Sequence, residues 1–209
     1  MDWNAVAKEK NRKDYAEAYF PIADKKGNTA MQIVASGPDD EDQTIKMGFL
    51  KMISQAKESI YIQTPYFIPD ESLHEMLKIA VLSGVKVKIM IPSKPDHPFV
   101  YRATEYFAKD IVEYGAEVYM YQNGFLHSKV MVVDDEIVSV GTANMDVRSF
   151  KLNFEINAFI YDRDVAEELI ANFDEDQKNC IRATHDYFAK QSKWRKFKQA
   201  FSRLLSPIL

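Results

Sequence analysis

Two short stretches decide how this chain is expected to fold: FLHSKVMVVD, residues 125–134, and GTAN, residues 141–144. On an extended strand, side chains two residues apart leave the same face, so His127 and Lys129 are expected to project together. The apolar run at 130–133 is typical of a buried strand. An imidazole and an ammonium group would then lie at the start of a buried strand. This arrangement suits the binding of an anion better than packing in a hydrophobic core.

The residue types around this pair suit a phosphate group. A neutral histidine such as His127 is nucleophilic and carries protons near pH 7, and Lys129 supplies positive charge for phosphate oxygens. Thr142 and Asn144 follow a glycine that allows a tight turn, and they add neutral hydrogen-bond donors. Glu155 lies in a second apolar strand-like stretch, where its carboxylate could hold the other imidazole nitrogen of the histidine.

The strength of the signal lies in the complete pattern. A lone histidine is usually an ordinary surface or core residue, and His-x-Lys alone is a weak motif. Here His127-x-Lys129 is followed after four residues by Asp134, and after six more by Gly-Thr-x-Asn, which is a far more demanding match. On an extended strand the side chain of Asp134 would leave the opposite face from His127 and Lys129. It is therefore expected to brace the loop and not to touch a substrate.

Length and composition are those of an ordinary globular protein. The 209 residues are 46% hydrophobic and 28% charged, which suits one domain, or a domain with an appendage. The single cysteine excludes an intramolecular disulfide, and no His/Cys/Asp group has metal-ligand spacing, so neither a metal nor a cofactor is expected. No apolar run approaches the ~20 residues of a membrane-spanning helix, and no signal-peptide segment is recognisable. We therefore expect this stretch neither to span a membrane nor to direct its own export, and a cytoplasmic setting is compatible.

Charge is distributed unevenly along the chain. Residues 190–209 contain six Lys or Arg and no acidic residue, which leaves 21 of the 27 basic residues with all 31 acidic residues in the rest of the chain. An acidic body argues against general binding of nucleic acid. The same C-terminal run spaces large apolar residues, from Trp194 to Ile208, along one helical stripe. It predicts either a final helix docked on the core or an interfacial helix at an anionic membrane surface.

Strand and helix patterns alternate through most of the chain. Strands are predicted at 31–36, 59–64, 85–91 and 117–121 with helical periodicity between them, then near 129–134, 136–140 and 154–161, with a helix over 164–186. This order predicts an α/β fold with a mainly parallel or mixed sheet and helices on both faces.

Ligands of such sheets bind at the carboxyl ends of the strands. Tyr66 follows one such end, where it would line a lipid or glycerol pocket or simply pack within a rigid turn. The remaining histidines are expected at the surface (His74), at the rim of the site (His97) and in a structural position near a helix end (His185).

At these residues the sequence resembles the phospholipase D superfamily, whose signature is this pattern. The resemblance implies an α-β-α sandwich and phosphodiester transfer through a phosphohistidine. It makes His127 the nucleophile or the general acid, oriented by Glu155, which follows 28 residues later as in the family. The implied catalytic set is His127, Lys129, Asp134 and Glu155, with Thr142 and Asn144 holding or assisting at phosphate oxygens.

Longer stretches extend the resemblance. YIQTPYFIP (61–69), GVKV (84–87), NGFLHSK (123–129), GTANMDVRSF (141–150) and LLSPIL (204–209) look like the C-terminal half of bacterial cardiolipin synthases. The resemblance implies a phosphatidyltransferase that makes cardiolipin from two phosphatidylglycerol molecules and releases glycerol. It divides the chain into residues 1–30, the linker or tail of a missing N-terminal half; 31–189, the catalytic domain; and 190–209, a basic amphipathic helix.

The chain also departs from this family. Its members carry two copies of the motif and an N-terminal membrane anchor, whereas one copy is present here. We therefore expect a fragment, peripheral on the cytoplasmic face of the bacterial cell membrane, whose site is completed by the missing half or by a second copy of the chain. Two alternatives stay open: a homodimeric phospholipase D-like phosphodiesterase or nuclease, and an inactive half that binds membranes. The acceptor alcohol is open as well.

Overall fold

The computed structural model describes residues 4, 6–14, 17–22, 24, 26–94 and 96–206. In the described part of residues 1–29 there are two short 3-10 helices, Glu9–Asn11 and Glu17–Tyr19, and no buried side chain. Sheet structure begins at Ala30, beside the expected boundary. The last three residues of the expected C-terminal helix, 207–209, lie outside the described residues.

The described residues form ten strands. They are β1 (Ala30–Ser36), β2 (Ser59–Gln63), β3 (Phe67–Ile68), β4 (Lys86–Pro92), β5 (Glu117–Tyr121), β6 (Val130–Val133), β7 (Ile137–Gly141), β8 (Met145–Asp146), β9 (Glu155–Tyr161) and β10 (Cys180–Arg182).

Seven α-helices accompany the strands in the same described part. They are α1 (Thr44–Gln55), α2 (Glu71–Leu82), α3 (Pro98–Tyr114), α4 (Val147–Lys151), α5 (Arg163–Gln177), α6 (His185–Ala189) and α7 (Lys193–Leu204).

The central sheet has eight strands in the order β1-β9-β7-β6-β2-β4-β5-β10, and β3 and β8 form a separate parallel pair. Within the large sheet only β2, β4 and β5 run parallel to one another, and the other neighbours are antiparallel. The predicted α/β sandwich with a mixed sheet is confirmed. Its parallel part is smaller than expected because β6 and β7 are joined by only three residues, and so short a connection produces an antiparallel pair.

Helices cover both faces of this sheet, which explains the continuous apolar run in β6. Met131 and Val133 point into the large core formed with α1, α2 and α3. Val132 points to the other face, where it packs with Ala166 of α5. A strand buried on both faces carries apolar residues at consecutive positions, not only at alternate ones.

The helix predicted over 164–186 is wrong in its second half. Helix α5 ends at Gln177, and residues 180–182 instead form the edge strand β10, antiparallel to β5. A new helix then begins after Thr184, whose hydroxyl caps the amide of Tyr187. The helical pattern could not reveal this interruption, because pairing with a distant strand decides it.

The expectation that His74 faces solvent is also wrong. Its side chain is 7% exposed, its Nε2 lies 2.7 Å from the Asp110 carboxylate, and its ring packs edge-on against Phe107. Burial lowers the pKa of His74. The neighbouring Glu71 and Glu75 on the same helix do face solvent. His74 itself belongs to the α2–α3 interface.

Candidate active site

The residues singled out by the sequence gather at one edge of the sheet. Lys129 precedes β6, whose first residue Val130 pairs with Gln63 at the end of β2. At the same edge Gly141 ends β7, and Glu155 begins β9. The carboxyl ends of the parallel strands β2, β4 and β5 meet here, which is where open α/β sheets bind ligands.

His127 lies in the loop before β6, not on the strand itself, so strand alternation does not determine its direction. Its imidazole is exposed and lies 5.9 Å from the ring of Phe125, measured between centroids. Neither ring nitrogen has a hydrogen-bond partner within the described residues. The imidazole is therefore open to a ligand.

Lys129 is tied to the same loop. Its Nζ donates to the backbone carbonyl of His127 at 2.9 Å, and the side chain is half-buried. Burial lowers the pKa of Lys129, whereas the negative charges of Glu155 and Asp146 act to raise it. The ammonium group thus lies within the field of two carboxylates and is bonded to the backbone of the histidine it was predicted to accompany.

The contact predicted between Glu155 and His127 is not made among the described residues. The Glu155 carboxylate accepts a hydrogen bond from Asn153 Nδ2 at 3.1 Å, and its charge acts on Lys129. In this structure Glu155 therefore contributes to the electrostatics around the lysine and does not orient the histidine.

Asn144 is held in place from two sides. Its Nδ2 donates to Asp146 Oδ2 at 3.1 Å, and its backbone N–H donates to Ser149 Oγ at 3.2 Å. Its Oδ1 is buried and has no partner among the described residues. The amide is thus fixed in position while one of its polar atoms is left unpaired.

Asp146 is a site residue to which the sequence analysis gave no role. It is 4% exposed, and besides Asn144 it accepts the backbone N–H of Ser149 at 2.6 Å, which caps α4. Burial raises the pKa of Asp146, and the nearby charge of Glu155 adds to the shift. Its Asp-x-x-Ser pattern at the start of a helix was the available signal.

The Thr142 hydroxyl is used to hold the loop. Its Oγ1 accepts the backbone N–H of Ile156 at 2.9 Å, and its own N–H donates to the Ile156 carbonyl at 3.0 Å. Just before it, a Cβ on Gly141 would meet the Ile156 carbonyl oxygen at 2.3 Å, so only glycine fits this close approach.

Asp134 lies at the opposite end of β6, about 16 Å from Lys129 at the usual rise of a strand. Its carboxylate accepts three backbone N–H groups, from Lys57, Glu58 and Ser59, at 2.8 to 2.9 Å. These contacts brace the chain that enters β2. The structure therefore places Asp134 outside the group that faces the ligand.

Tyr66 reaches this edge through the small parallel pair of strands. Thr64 Oγ1 accepts the N–H of Met145, which ties the segment after β2 to the segment after β7. The half-buried Tyr66 hydroxyl donates to Asp96. Burial, this bond and the charges of Asp96 and Asp146 raise its pKa. His97, expected at the rim, is exposed beside Asp96.

The part of the chain that the structure describes holds neither a metal-binding cluster nor a membrane-spanning helix. Its His, Cys, Asp and Glu residues form no group of three or more that could hold a metal ion. None of its helices has the length and apolar character needed to cross a membrane.

Comparison with known proteins agrees on one family. Residues 49–177 match the family described as "Cardiolipin synthase, PLD-like domain". The chain is 58% identical to a cardiolipin synthase of Listeria welshimeri, 55% to the major cardiolipin synthase ClsA of Bacillus subtilis and 54% to a cardiolipin synthase of Staphylococcus aureus, over all 209 residues each time. It covers 42–43% of these relatives, so it spans less than half of their length.

Solved structures share the fold at much lower identity. A phosphatidylserine synthase from Haemophilus influenzae superposes with a TM-score of 0.67 at 18% identity, over 87% of this chain and 48% of that one. Nuc from Salmonella typhimurium, a phospholipase D family member, has a TM-score of 0.65 at 21% identity, over 75% of this chain and 99% of that one. These two likenesses concern the fold alone.

Proposed function

The chain belongs to the cardiolipin synthase family of PLD-like domains, and we propose that it supplies one half of a phosphatidyltransferase site in which His127 reacts. The reaction converts two phosphatidylglycerol molecules into cardiolipin and glycerol. One observation carries the proposal: Lys129 Nζ lies 2.9 Å from the backbone carbonyl of His127, so cation and unpaired imidazole belong to one loop at the open edge of the sheet.

The transfer takes place in two displacements. In the first, a histidine nitrogen attacks the phosphorus of phosphatidylglycerol, the bond from phosphorus to the glycerol head group breaks, and an acid on the other side protonates the departing glycerol oxygen. In the second, a hydroxyl of another phosphatidylglycerol attacks the phosphohistidine, the P–N bond breaks, and the same acid–base group takes the hydroxyl proton. His127 acts as nucleophile or as acid–base group.

The remaining side chains stabilise charge on the phosphate. The Lys129 ammonium neutralises a non-bridging oxygen, and its bond to the backbone carbonyl of His127 keeps it in the same loop throughout both steps. Asn144 offers the second hydrogen on its amide nitrogen, since the first is engaged by Asp146. Thr142 keeps the loop in place through Ile156, and Glu155 balances the lysine charge.

One histidine supplies only half of this chemistry. The other three histidines of the sequence are engaged or placed elsewhere: His74 is buried against Asp110, His185 lies 3.7 Å from Glu113, and His97 is exposed next to α3. A second motif-bearing domain therefore completes the site, either from the rest of a longer polypeptide or from a second copy of this chain.

The substrate places the domain at a membrane. Phosphatidylglycerol is an anionic lipid, so the domain works as a peripheral part of the bacterial cell membrane, on its cytoplasmic face. Hydrolysis of nucleic acid by the same groups is disfavoured by charge, because the chain outside residues 190–209 contains 21 basic and 31 acidic residues. The acidic body would repel a phosphate backbone.

The test combines turnover with the mass of the active species. The chain alone, and a chimera that joins it to the N-terminal part of the Staphylococcus aureus relative, are incubated with phosphatidylglycerol vesicles. Products are identified by mass spectrometry, and light scattering gives the molecular mass in solution. Cardiolipin from a dimer of the chain would support a site shared by two copies, and cardiolipin from the chimera alone would support completion by the rest of a longer protein.

The remaining outcomes count against the proposal. Phosphatidic acid without cardiolipin, or degradation of plasmid DNA, would identify a hydrolase. A folded chimera without any turnover would leave an inactive domain.

A further inference from the structure

Helix α7 is docked with its polar side inward. Gln199 and Ser202 are 2% and 1% exposed, and Gln199 Nε2 donates to Glu105 of α3 at 3.3 Å. Arg195 completes this contact by pairing with Glu105. A surface helix normally buries its apolar stripe. The expectation of a final helix that docks its apolar stripe on the core is therefore wrong, and the opposite face meets solvent.

The outward face of α7 is a continuous apolar stripe. At 100° per residue its members fall within an arc of roughly 80°, on the side opposite the buried residues. The rings of Trp194 and Phe197 are stacked, with centroids 5.5 Å apart and planes 9° from parallel. The exposed fractions are large: Trp194 64%, Phe197 60%, Phe201 48% and Leu204 72%.

The start of α3 enlarges this stripe into a wider surface. Phe99 is 55% exposed and faces the same groove, of about 370 Å³, as the aromatic residues of α7. Pro98 and Arg102 line it as well. We call this the α3–α7 surface: Pro98, Phe99, Arg102, Trp194, Phe197, Lys198, Phe201 and Leu204. It includes residues that lie almost 100 positions before the C-terminal run in the sequence.

Positive charge borders the apolar stripe. Helix α7 carries five Lys or Arg and no acidic residue. Arg195 pairs with the buried Glu105, so its charge is balanced inside the protein. Lys193 is exposed on one side of the stripe. Lys198 lies on the other side, with its Nζ 5.1 Å from the centre of the Trp194 ring. Aromatic residues between flanking lysines are typical of helices that lie in a membrane interface.

From these contacts we infer that the α3–α7 surface docks the chain on an anionic lipid bilayer. The aromatic stripe enters the boundary between headgroups and acyl chains, and Lys193 and Lys198 meet lipid phosphates. A second copy of the chain is a poorer occupant, because two such helices would bring their unbalanced lysines together. A bilayer offers both the apolar layer and the opposite charge.

The surface lies close to the proposed active site. Helix α3 begins six residues after β4 ends, at the same edge of the sheet as the site. Asp96, which accepts the hydrogen bond from Tyr66, is three residues before Phe99, a span of at most about 11 Å. The surface would therefore hold the site edge next to the lipid. The role of the α3–α7 surface in presenting the site to lipid rests on the proposed function, but the binding of this surface to a bilayer does not.

The experiment measures binding of the chain to lipid vesicles and does not depend on catalytic turnover. The full chain is sedimented with vesicles of phosphatidylcholine containing 30% phosphatidylglycerol, or of phosphatidylcholine alone. The test variant is Phe197→Ser with Phe201→Ser, and the matched control is Ile79→Ser with Leu82→Ser, two residues of α2 that are 56% and 70% exposed. Circular dichroism checks that both variants fold.

The expected result is selective. Wild type and control bind the anionic vesicles equally, and the test variant binds at least about tenfold more weakly because it lacks two aromatic rings that would enter the bilayer. Lys193→Ser with Lys198→Ser abolishes the preference for phosphatidylglycerol. In a Trp3→Phe background, Trp194 fluorescence shifts to the blue with vesicles.

Two results would overturn the inference. One is a folded test variant that binds as well as the control. The other is a wild-type dimer that the test variant converts to a monomer, since the surface would then be an interface between copies. Binding without turnover leaves the α3–α7 surface intact and counts against the proposed reaction alone.

Discussion

His127 and Asp146 represent two ways in which a residue serves this site. His127 is exposed, and its imidazole nitrogens are unpaired within the described residues, which leaves them accessible to a substrate. Asp146 is buried, holds Asn144 through one oxygen and caps α4 through the other. The first is the reacting group of our proposal, and the second is a positioning residue.

Two substitutions separate the roles of Asp146. Asp146→Asn keeps an oxygen for the cap on Ser149 but replaces the acceptor of Asn144 with an amide. We expect its fold to persist and its transfer rate to fall roughly tenfold to a hundredfold, since a small misplacement of a binding group is costly. Asp146→Ala loses the cap as well, and about 1 kcal/mol of stability with it.

The pH dependence of unfolding adds a second readout. Burial raises the pKa of Asp146 in the folded chain, so its protonated form contributes stability at low pH that is lost as the pH rises through the raised value. The asparagine variant does not titrate there. Relative to wild type it should therefore gain stability in urea unfolding as the pH rises above about 4, the ordinary carboxyl value. A constant difference across this range would contradict the account.

Among the helices and strands, apolar runs and periodicity in the sequence predicted most strands of the large sheet well, from Ala30–Ser36 to Glu155–Tyr161. The β3–β8 pair, strand β10 and the docked side of helix α7 escaped because contacts distant in sequence decide them. Strand β10 exists through pairing with β5. Helix α7 shows a clear amphipathic pattern, but the pattern does not say which side docks, and the buried Glu105 of α3 selects the polar side.

The same distinction applies to the site: the local motif predicts some of its features, and contacts distant in sequence decide the others. The motif predicted which residues meet at the sheet edge, because it fixes their order around β6 and β7. It did not predict that Thr142 bonds to Ile156, or that Glu155 contacts Asn153 and not His127. Such contacts depend on how the segment after β7 packs against β9, which no local pattern encodes.

The contact between β7 and β9 can be tested with one methyl group. In Gly141→Ala the new Cβ would meet the Ile156 carbonyl oxygen at 2.3 Å and the Asn157 side chain at 2.4 Å. We expect a loss of about 1–3 kcal/mol of stability, and weaker activity because the following loop carries Asn144. Gly27→Ala is the matched control, since a Cβ there meets nothing within 4 Å. Equal midpoints of urea unfolding for the two variants would show that the approach is not tight.

At the scale of the whole molecule, the fold builds a platform that is open at one edge. Every predicted site residue except Asp134 lies at that edge, and the α3–α7 surface begins beside it. The chain carries one histidine motif and covers 43% of its Bacillus subtilis relative. Within the described residues one unpaired imidazole lies at this open edge, which fits our proposal of a site shared between two motif-bearing domains.

The proposed reaction therefore depends on His127. The direct measurement is cardiolipin formation by the active assembly, whether dimer or chimera, with wild type compared with His127→Ala and with His185→Ala, an exposed histidine outside the site. We predict that His127→Ala lowers the rate at least about a hundredfold while His185→Ala leaves it unchanged, because His127 either forms the phosphatidyl bond or transfers the proton. A folded His127→Ala assembly that makes cardiolipin at the wild-type rate would contradict a catalytic role for His127.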